Sequence, residues 1–534
     1  MSNIARVRTA RPVAPLLLET DPAIVRTVLE DAAHYPGGHA EALARPASIE
    51  EIAALLRRGG SVLPVGAQSS LTGGATPDGG TVLSTVRLRE LAIDAGARRV
   101  RAGAGWTLEE LQDALGGRGL FFPPVPTYAG ATVGGVVSTN AAGAATFKYG
   151  PVRPWVEALT VVLASGDVLD LTRGEVVADA DGFVLETSRG RVAVPIRSLS
   201  MPDVPKCSAG YYLASGMDLV DLFIGAEGTL GVIAAATLRV AVRQSAPCRA
   251  LIPVTDEPGA IALAGSLREA ARRAWASPAE GGVDVAAIEH LDGRSIAILR
   301  EDGIDARLDI AIPPGAGVLL LVEIELPPGR EDSELWNDLA SAREPSAPRS
   351  PLATFVRILD AHGVLDDTEV ALPGQAARAA AFAALREAVP AGVNRRIARA
   401  QATIDAGISK TAADMIVPFA RFGEMMREAR RLFAERQLDV AVWGHISDGN
   451  VHPNVIPHAP GDTDRGLEAI RALGDVVVAM GGCPLAEHGV GRNPVKQALL
   501  GALYGPEGLA AMRAVRRALD PDGRLAPGVL FPPA

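Results

Sequence analysis

Apolar and polar positions along the chain follow two periods. Ile49, Ile52, Leu55 and Leu56 share one helical face, Ser48 and Glu51 have capping-box spacing, and Gly59-Gly60 stops the run. The apolar residues 62–65 that follow predict a buried strand. A second helix is predicted from Thr107, with Glu110 three positions on, Leu108, Leu111 and Leu115 on one face, and Gly116-Gly117 as its stop. Short βα units therefore fill the N-terminal part. Two β-rich runs flank Ser165-Gly166-Asp167, which predicts a hairpin over residues 160–171, and a second over residues 183–194 turns at Arg189-Gly190. Residues 219–224 read as an apolar helix end, 225–231 as a turn and 232–242 as a strand.

From there to about residue 440, strand-like segments such as 317–326 alternate with Ala- and Arg-rich helices such as 376–389, which predicts a sheet covered by helices. Residues 344–351 are rich in Pro and Ser and predict a surface loop. A length of 534 residues supports at least two domains, and 48% hydrophobic with 21% charged residues excludes global disorder. A net charge of -10 without a run of Lys and Arg argues against nucleic acid as a partner. Arg6, Arg8 and Arg11 precede only Leu16 to Leu18, too short for a secretory signal, so the N-terminus reads as a frayed tail. No apolar run approaches the roughly 18 residues of a transmembrane span, which leaves only peripheral membrane contact. Cys207, Cys248 and Cys483 form no CxxC pair, so neither a disulfide framework nor an iron–sulfur cluster is expected, and a reducing cytoplasm fits.

Three segments of small residues stand out. PVGAQSSLTGGATP at Pro64 to Pro77 runs from a strand into a loop whose amides could cradle a pyrophosphate, although it is not a GxGxxG turn and alone is equally an ordinary glycine-rich turn. PPVPTYAGATVGGVVSTNAAGAATFKYG at Pro123 to Gly150 is nearly free of charge. It fits either a large ligand lying on the backbone or two closely packed backbone layers. DLFIGAEGTLGVI at Asp221 to Ile233 packs glycines around Glu227.

In this order the segments resemble the PCMH-type FAD-binding domain of the vanillyl-alcohol oxidase and p-cresol methylhydroxylase superfamily. Residues 64–75 are similar to its pyrophosphate loop RGGGTGLSGGA at Gly66, Ser69, Ser70, Thr72, Gly73 and Gly74, and depart from it at Val65, Ala67 and Gln68. Residues 130–143 match GATVGGxxSTNAAG, Lys148-Tyr149-Gly150 matches the K/R-Y-G that follows, and residues 225–234 resemble GSEGTLGVIT except at Ala226 and Ala234. WGHISDGNVHPNVIP (443–457), LAEHGVGRNP (485–494) and LDPDGRLAPGVLF (519–531) resemble GHxGDGNxHxN, EHGIG and FDPxGxLNPGK of flavin dehydrogenases for D-lactate, D-2-hydroxyglutarate and related acids, and of the glycolate oxidase FAD subunit. The resemblance covers residues 45–242 and 375–534.

It implies an α+β, two-domain fold: an N-terminal segment 1–45, an FAD-binding domain 46–242, an α/β substrate (cap) domain 243–490 on an antiparallel sheet, and a segment 491–534 returning to the FAD domain. The FAD is expected to be non-covalent, because residues 64–75 contain no His or Cys. The implied cofactor-binding residues are Val65, Gly66, Ala67, Gln68, Ser69, Ser70, Thr72, Gly73 and Gly74 in the first segment. Pro126, Thr127, Gly130, Ala131, Thr132, Gly134, Gly135, Ser138, Thr139, Asn140, Gly143 and Tyr149 follow in the second, and Glu227, Gly228, Gly231 and Ile233 in the third, with Asn450 beyond.

His445 and His452 flank the turn residues Ser447-Asp448-Gly449-Asn450, so a hairpin would bring two imidazoles together. With Glu487 they make a His, His, carboxylate set suited to zinc, or to manganese or iron, with positions left for substrate. The alternative is a pair of hydrogen-bonded histidines without metal. His488 is the expected general base, the role of its counterpart in the matching family, with a mere supporting partner as the alternative. Arg386 in LREAVP resembles the family's LWxxRE arginine, suited to a substrate carboxylate, and is equally readable as a solvated arginine. Lys410 in SKTAADMIVP resembles the lysine of KxDxxxP but stands four residues before Asp414 rather than two. The expected reaction is oxidation of a D-2-hydroxy acid, with electrons leaving to a quinone, cytochrome, electron-transfer flavoprotein or oxygen. A homodimer is compatible. A metal-free flavin oxidase, an alkyl-glycerone-phosphate-synthase-like enzyme and a non-catalytic flavin subunit are the alternatives. Relative to the family, an extra segment lies within residues 172–206 and is expected to remodel the mouth of the site.

Overall fold

Local chemistry sets the first helices where the pattern predicts them. In a computed structural model that describes residues 2–124, 126, 128–243, 247–277, 279–344 and 349–532, the Ser48 hydroxyl accepts the Glu51 amide at the start of helix Ile49–Arg57. Gly59 and Gly60 end it with φ of +85° and +84°. The capping box of Thr107 and Glu110 is complete and starts helix Leu108–Gly116. These helices serve two sheets. One is parallel, in the order Ala42–Ala44, Thr81–Ser84, Val62–Val65. The other is antiparallel with six strands: Arg8–Thr9, Asp167–Thr172, Val156–Val162, Val232–Arg239, Arg99–Gly103 and Leu91–Asp94. The predicted hairpin over residues 160–171 is the second and third of these.

The sheet expected beyond residue 242 is a seven-stranded antiparallel one. Its order is Glu369–Ala371, Cys248–Val254, Val318–Glu325, Asp284–Asp292, Asp439–His445, Asn450–Ile456 and Met415–Ile416. Strand period decides which side each residue serves. Val318, Leu320, Val322 and Ile324 join the apolar cluster of helices Glu257–Ala276 and Phe422–Glu435, whereas Leu319 joins that of helices Gly293–Glu301 and Ala376–Thr403. With both faces covered, the strand reads as a nearly continuous apolar run. Helix Ala376–Thr403 passes the expected stop at Val389 and contains Pro390. Burial of Val389, Val393 and Ile397 on the sheet outweighs the backbone hydrogen bond that proline removes.

One further expectation is corrected. The N-terminus is not frayed: Ile4–Arg6 pairs in parallel with Gly182–Thr187, and Arg8–Thr9 with the strand Asp167–Thr172. The extra hairpin, Gly182–Thr187 with Gly190–Pro195, thus becomes the middle and edge of a three-stranded sheet that packs on the C-terminal helix Pro494–Leu519. Within the predicted loop 344–351, residues 345–348 lie outside the described residues, and Ser350 caps helix Pro351–Ala361. After the C-terminal helix the chain comes back to the parallel sheet: the Val62 amide donates to Arg524 O and the Ala526 amide to Val62 O, each at 2.9 Å. No helix among the described residues is long and apolar enough to cross a membrane.

Candidate active site

The three small-residue segments converge. An ideal Cβ on Gly66 would lie 2.0 Å from Thr132 Oγ1, so only glycine lets the first segment touch the second. Thr132 caps helix Val133–Ser138, whose far end receives the third segment through Gly225 N to Val137 O (3.0 Å) and Glu227 N to Ser138 O (2.8 Å). Close packing of backbone layers accounts for part of these segments. Close layering explains Gly134 against Ala104, Gly228 against Pro64 and Gly231 against Val161, each less than 3 Å from an added Cβ. The loop itself is different: among the described residues the amides of Ser69, Ser70, Leu71 and Gly73 donate to no protein acceptor, which leaves them free to serve an anion.

Several expected cofactor residues act by holding this loop. Gln68, at φ +50°, donates its side-chain amide to the carbonyls of Val28, Glu30 and Ala75. Ser70 Oγ accepts the amides of Thr72 and Gly74. Gly73, at φ +75°, sits against the Tyr35 ring. Glu227 accepts Val490 N at 2.8 Å and Gly491 N at 2.9 Å, and its burial pushes the carboxyl up to about 7. Asn140 bonds Cys207 O and the Arg153 amide. Tyr149 donates to Glu325 of the seven-stranded sheet at 2.5 Å, beside Lys148, whose ammonium lies 2.6 Å from both Asp284 and Glu325. Val65 ends its strand beside Gly66 and Ala67. Pro126, Gly130, Ala131, Gly135, Ser138, Thr139, Gly143 and Ile233 belong to the converging segments, and Thr127 lies outside the described residues. The residues that follow His488 close on the same loop, because Arg492 N and Asn493 N both donate to Thr72 O at 3.1 Å.

On the other side of that contact stands the histidine hairpin. His445 pairs across the strands with Asn450 and Trp443 with His452, so the two imidazoles share a face with ring centres 5.5 Å apart. Asp414 delivers the third element: its carboxylate accepts Glu487 N at 2.7 Å and His488 N at 3.0 Å. Asn450, expected at the cofactor, is buried and donates to Asp414 Oδ1 and Met415 O. The result is two overlapping sets of donor atoms, each within 4.8 Å of one another: His445, His452 and Glu487, and Asp414, His452 and His488.

His445 is bonded to Glu289, which Arg386 holds from its far side at 2.8 Å. Burial alone would lower the His445 pKa, but Glu289 and Glu487 together outweigh it and bring it up to about 9. Glu289 itself is held down to about 2, because His445 and Arg386 overcome the opposing effect of burial. His452 is pushed down to about 3 by burial, and its side chain makes no hydrogen bond among the described residues. Burial also lowers His488, whose Nδ1 lies 3.5 Å from Asp414. Arg386 is therefore a largely shielded ion-pair partner of Glu289 and not a solvated arginine. Lys410 makes no ion pair among the described residues, and its charge bears on His488.

Sequence reading missed Glu289, Asp448 and Lys206. Glu289 had one signal, a Glu-His pair inside an apolar strand. Asp448 was read only as a turn residue, and Lys206 carried no motif.

Comparison with known proteins settles the family. Residues 259–530 match the FAD linked oxidases, C-terminal domain, and residues 40–172 match an FAD binding domain. The chain belongs to the FAD-linked oxidases. It is 27% identical to a D-lactate dehydrogenase of Archaeoglobus fulgidus over 91% of this chain and 90% of the relative. It is 28% identical to a D-2-hydroxyglutarate dehydrogenase of Xanthomonas citri pv. viticola over 98% and 97%. A solved alkyldihydroxyacetonephosphate synthase shares the fold, with a TM-score of 0.61 at 13% identity, over 98% of this chain and 88% of that one. This FAD-linked oxidase thus has the PCMH-type architecture and is an FAD-dependent oxidoreductase.

Proposed function

We propose that this oxidoreductase converts a D-2-hydroxy acid to the 2-oxo acid, assisted by a divalent cation, zinc first, held by His445, His452 and Glu487. The observation that carries the metal is His452: a buried imidazole, kept neutral by burial, with no hydrogen bond, beside two further donors. Its Nδ1 faces Asp414 Oδ1 at 3.4 Å and its Nε2 faces Glu487 Oε2 at 3.8 Å, neither as a hydrogen bond, and a buried neutral imidazole left so is costly unless a ligand completes it. When bound, FAD supplies the hydride acceptor and the cation a Lewis acid for the substrate's hydroxyl and carboxylate.

The chain's own residues do the rest. His488, held in its neutral form by burial, takes the hydroxyl proton; with Nδ1 turned to Asp414, Nε2 is the nitrogen left for it. Arg386 and Lys410 supply positive charge for the substrate carboxylate, Arg386 through the guanidinium edge not used by Glu289. The unpaired amides of Ser69, Ser70, Leu71 and Gly73 hold the pyrophosphate of a non-covalent FAD. In this reading residues 46–242 form the FAD unit and 243–490 the substrate unit, and relatives named for D-lactate and D-2-hydroxyglutarate support the substrate class.

A metal-free oxidase is the second reading, favoured by one observation: Lys206 already places a cation on Glu487. The test is anaerobic mixing of the purified protein, its metal and FAD content measured first, with a panel of D- and L-2-hydroxy acids. Bleaching of the flavin by D-acids is expected. A preparation full of FAD and zinc that no 2-hydroxy acid bleaches would end the proposal, and bleaching by metal-free protein would favour the second reading.

A further inference from the structure

Lys206 lies midway along residues 196–218, which join the extra hairpin to helix Leu219–Phe223, and its side chain is wholly buried. Its ammonium lies 2.5 Å from Glu487 Oε1 and 2.8 Å from Asp448 Oδ2. Asp448 occupies the turn between the two histidine strands, and Glu487 the loop that carries His488. Both partners are carboxylates, and Asp448 is fully buried with no other side-chain partner among the described residues. Without the cation, two buried negative charges would face each other across the site and drive the loop from the hairpin.

The contacts also fix how Glu487 is turned. Oε1 takes the ammonium and lies 3.3 Å from His445 Nε2, while Oε2 lies toward His452 Nε2 at 3.8 Å. We propose that Lys206 is a positioning residue: anchored by Asp448, it holds Glu487 so that the His445, His452 and Glu487 donors stand assembled before any cation arrives. A lysine suits the task because its compact charge and three donors can bridge two acceptors in different elements. The inference rests on the metal reading above.

The direction of one effect separates positioning from simple charge. Removing a positive charge beside a cation site strengthens cation binding if Coulomb's law alone operates, and weakens it if the charge was holding a ligand in place. FAD-loaded wild type, Lys206→Met, Lys206→Gln and His452→Ala are compared for zinc affinity by competition with a chelator, without turnover. We expect wild type to bind one zinc, His452→Ala to lose it, and Lys206→Met to bind it roughly 10–100-fold more weakly, the usual cost of losing a group that orients a ligand. Lys206→Gln, which removes the charge but keeps a hydrogen-bond donor, shifts the same way by less and serves if Lys206→Met does not fold. Zinc affinity unchanged or tighter in Lys206→Met, or in Lys206→Gln where that variant stands alone, overturns the positioning role and leaves the metal reading intact. Wild type that binds no zinc overturns both.

Discussion

The loop of residues 64–75 and the hairpin of residues 439–456 sit on either side of residues 487–493, and they are built on opposite principles. The loop works through its backbone: unpaired amides, Gly66 pressed on Thr132, Gly73 on Tyr35. The hairpin works through side chains that only histidine, aspartate and glutamate can supply. The difference explains a discrepancy in their sequences. Val65, Ala67 and Gln68 depart from the family's loop without opening it, because amide direction depends on dihedral angles and not on side-chain chemistry, and Gln68 takes up φ +50° while its own amide ties down three carbonyls. No such latitude exists at His452.

The comparison breaks most severely at the loop. Gly73→Asp puts a Cβ 2.6 Å from the Tyr35 ring at a positive φ and a carboxylate at the proposed pyrophosphate site, so FAD binding is expected to be abolished. Purified variant should be colourless; stoichiometric yellow protein would move the phosphate site elsewhere. At the hairpin the failure should be different in kind. His452→Ala keeps FAD, whose loop is untouched, but loses metal and turnover together, because two remaining ligands rarely hold a divalent ion. Flavin absorbance and elemental analysis of one sample decide it, and metal retained in full would exclude His452 as a ligand.

His488→Ala comes next in size. A fall of roughly 10²–10⁴-fold in the rate of flavin reduction is expected from losing one general base, with FAD and metal both retained. The retention matters as much as the rate. His488 also belongs to the overlapping set with Asp414 and His452; were that set the metal site, His488→Ala would release the ion and His445→Ala would not.

How legible each region was follows from the same contrast. Helix starts at Ser48 and Thr107 were readable because a cap is chemistry between neighbours three residues apart. Ile4–Arg6 and Arg8–Thr9 were not, since two- and three-residue strands have no period to show and their partners lie some 160 to 180 positions away. Pro390 misled for a related reason, its local penalty being overruled by packing on a sheet that the local sequence does not reveal. In the site, His445, His452, Glu487 and His488 announced themselves by residue type in a spaced motif. Lys206 and Glu289 could not, because a buried charge is intelligible only through the opposite charge beside it. Asn450 and Glu227 were grouped with the cofactor because they lie in the right motifs, yet their side chains are used to hold Asp414 and the 490–491 amides.

The mildest expected effect tests where the backbone-built region ends. Tyr149 was assigned to the flavin by its motif, but its hydroxyl is committed to Glu325 on the seven-stranded sheet, where Lys148 also bonds. Tyr149→Phe removes that one hydrogen bond and leaves Glu325 paired with the Lys148 ammonium at 2.6 Å, so no buried charge is stranded. The loss should be about 2 kcal/mol, the scale of a hydrogen bond to a charged group. It is read as a lower denaturant midpoint with an unchanged slope and full FAD occupancy. If instead the variant unfolds at the wild-type midpoint but is purified with FAD missing, the hydroxyl serves the cofactor, and the side-chain-built region begins only beyond residue 242.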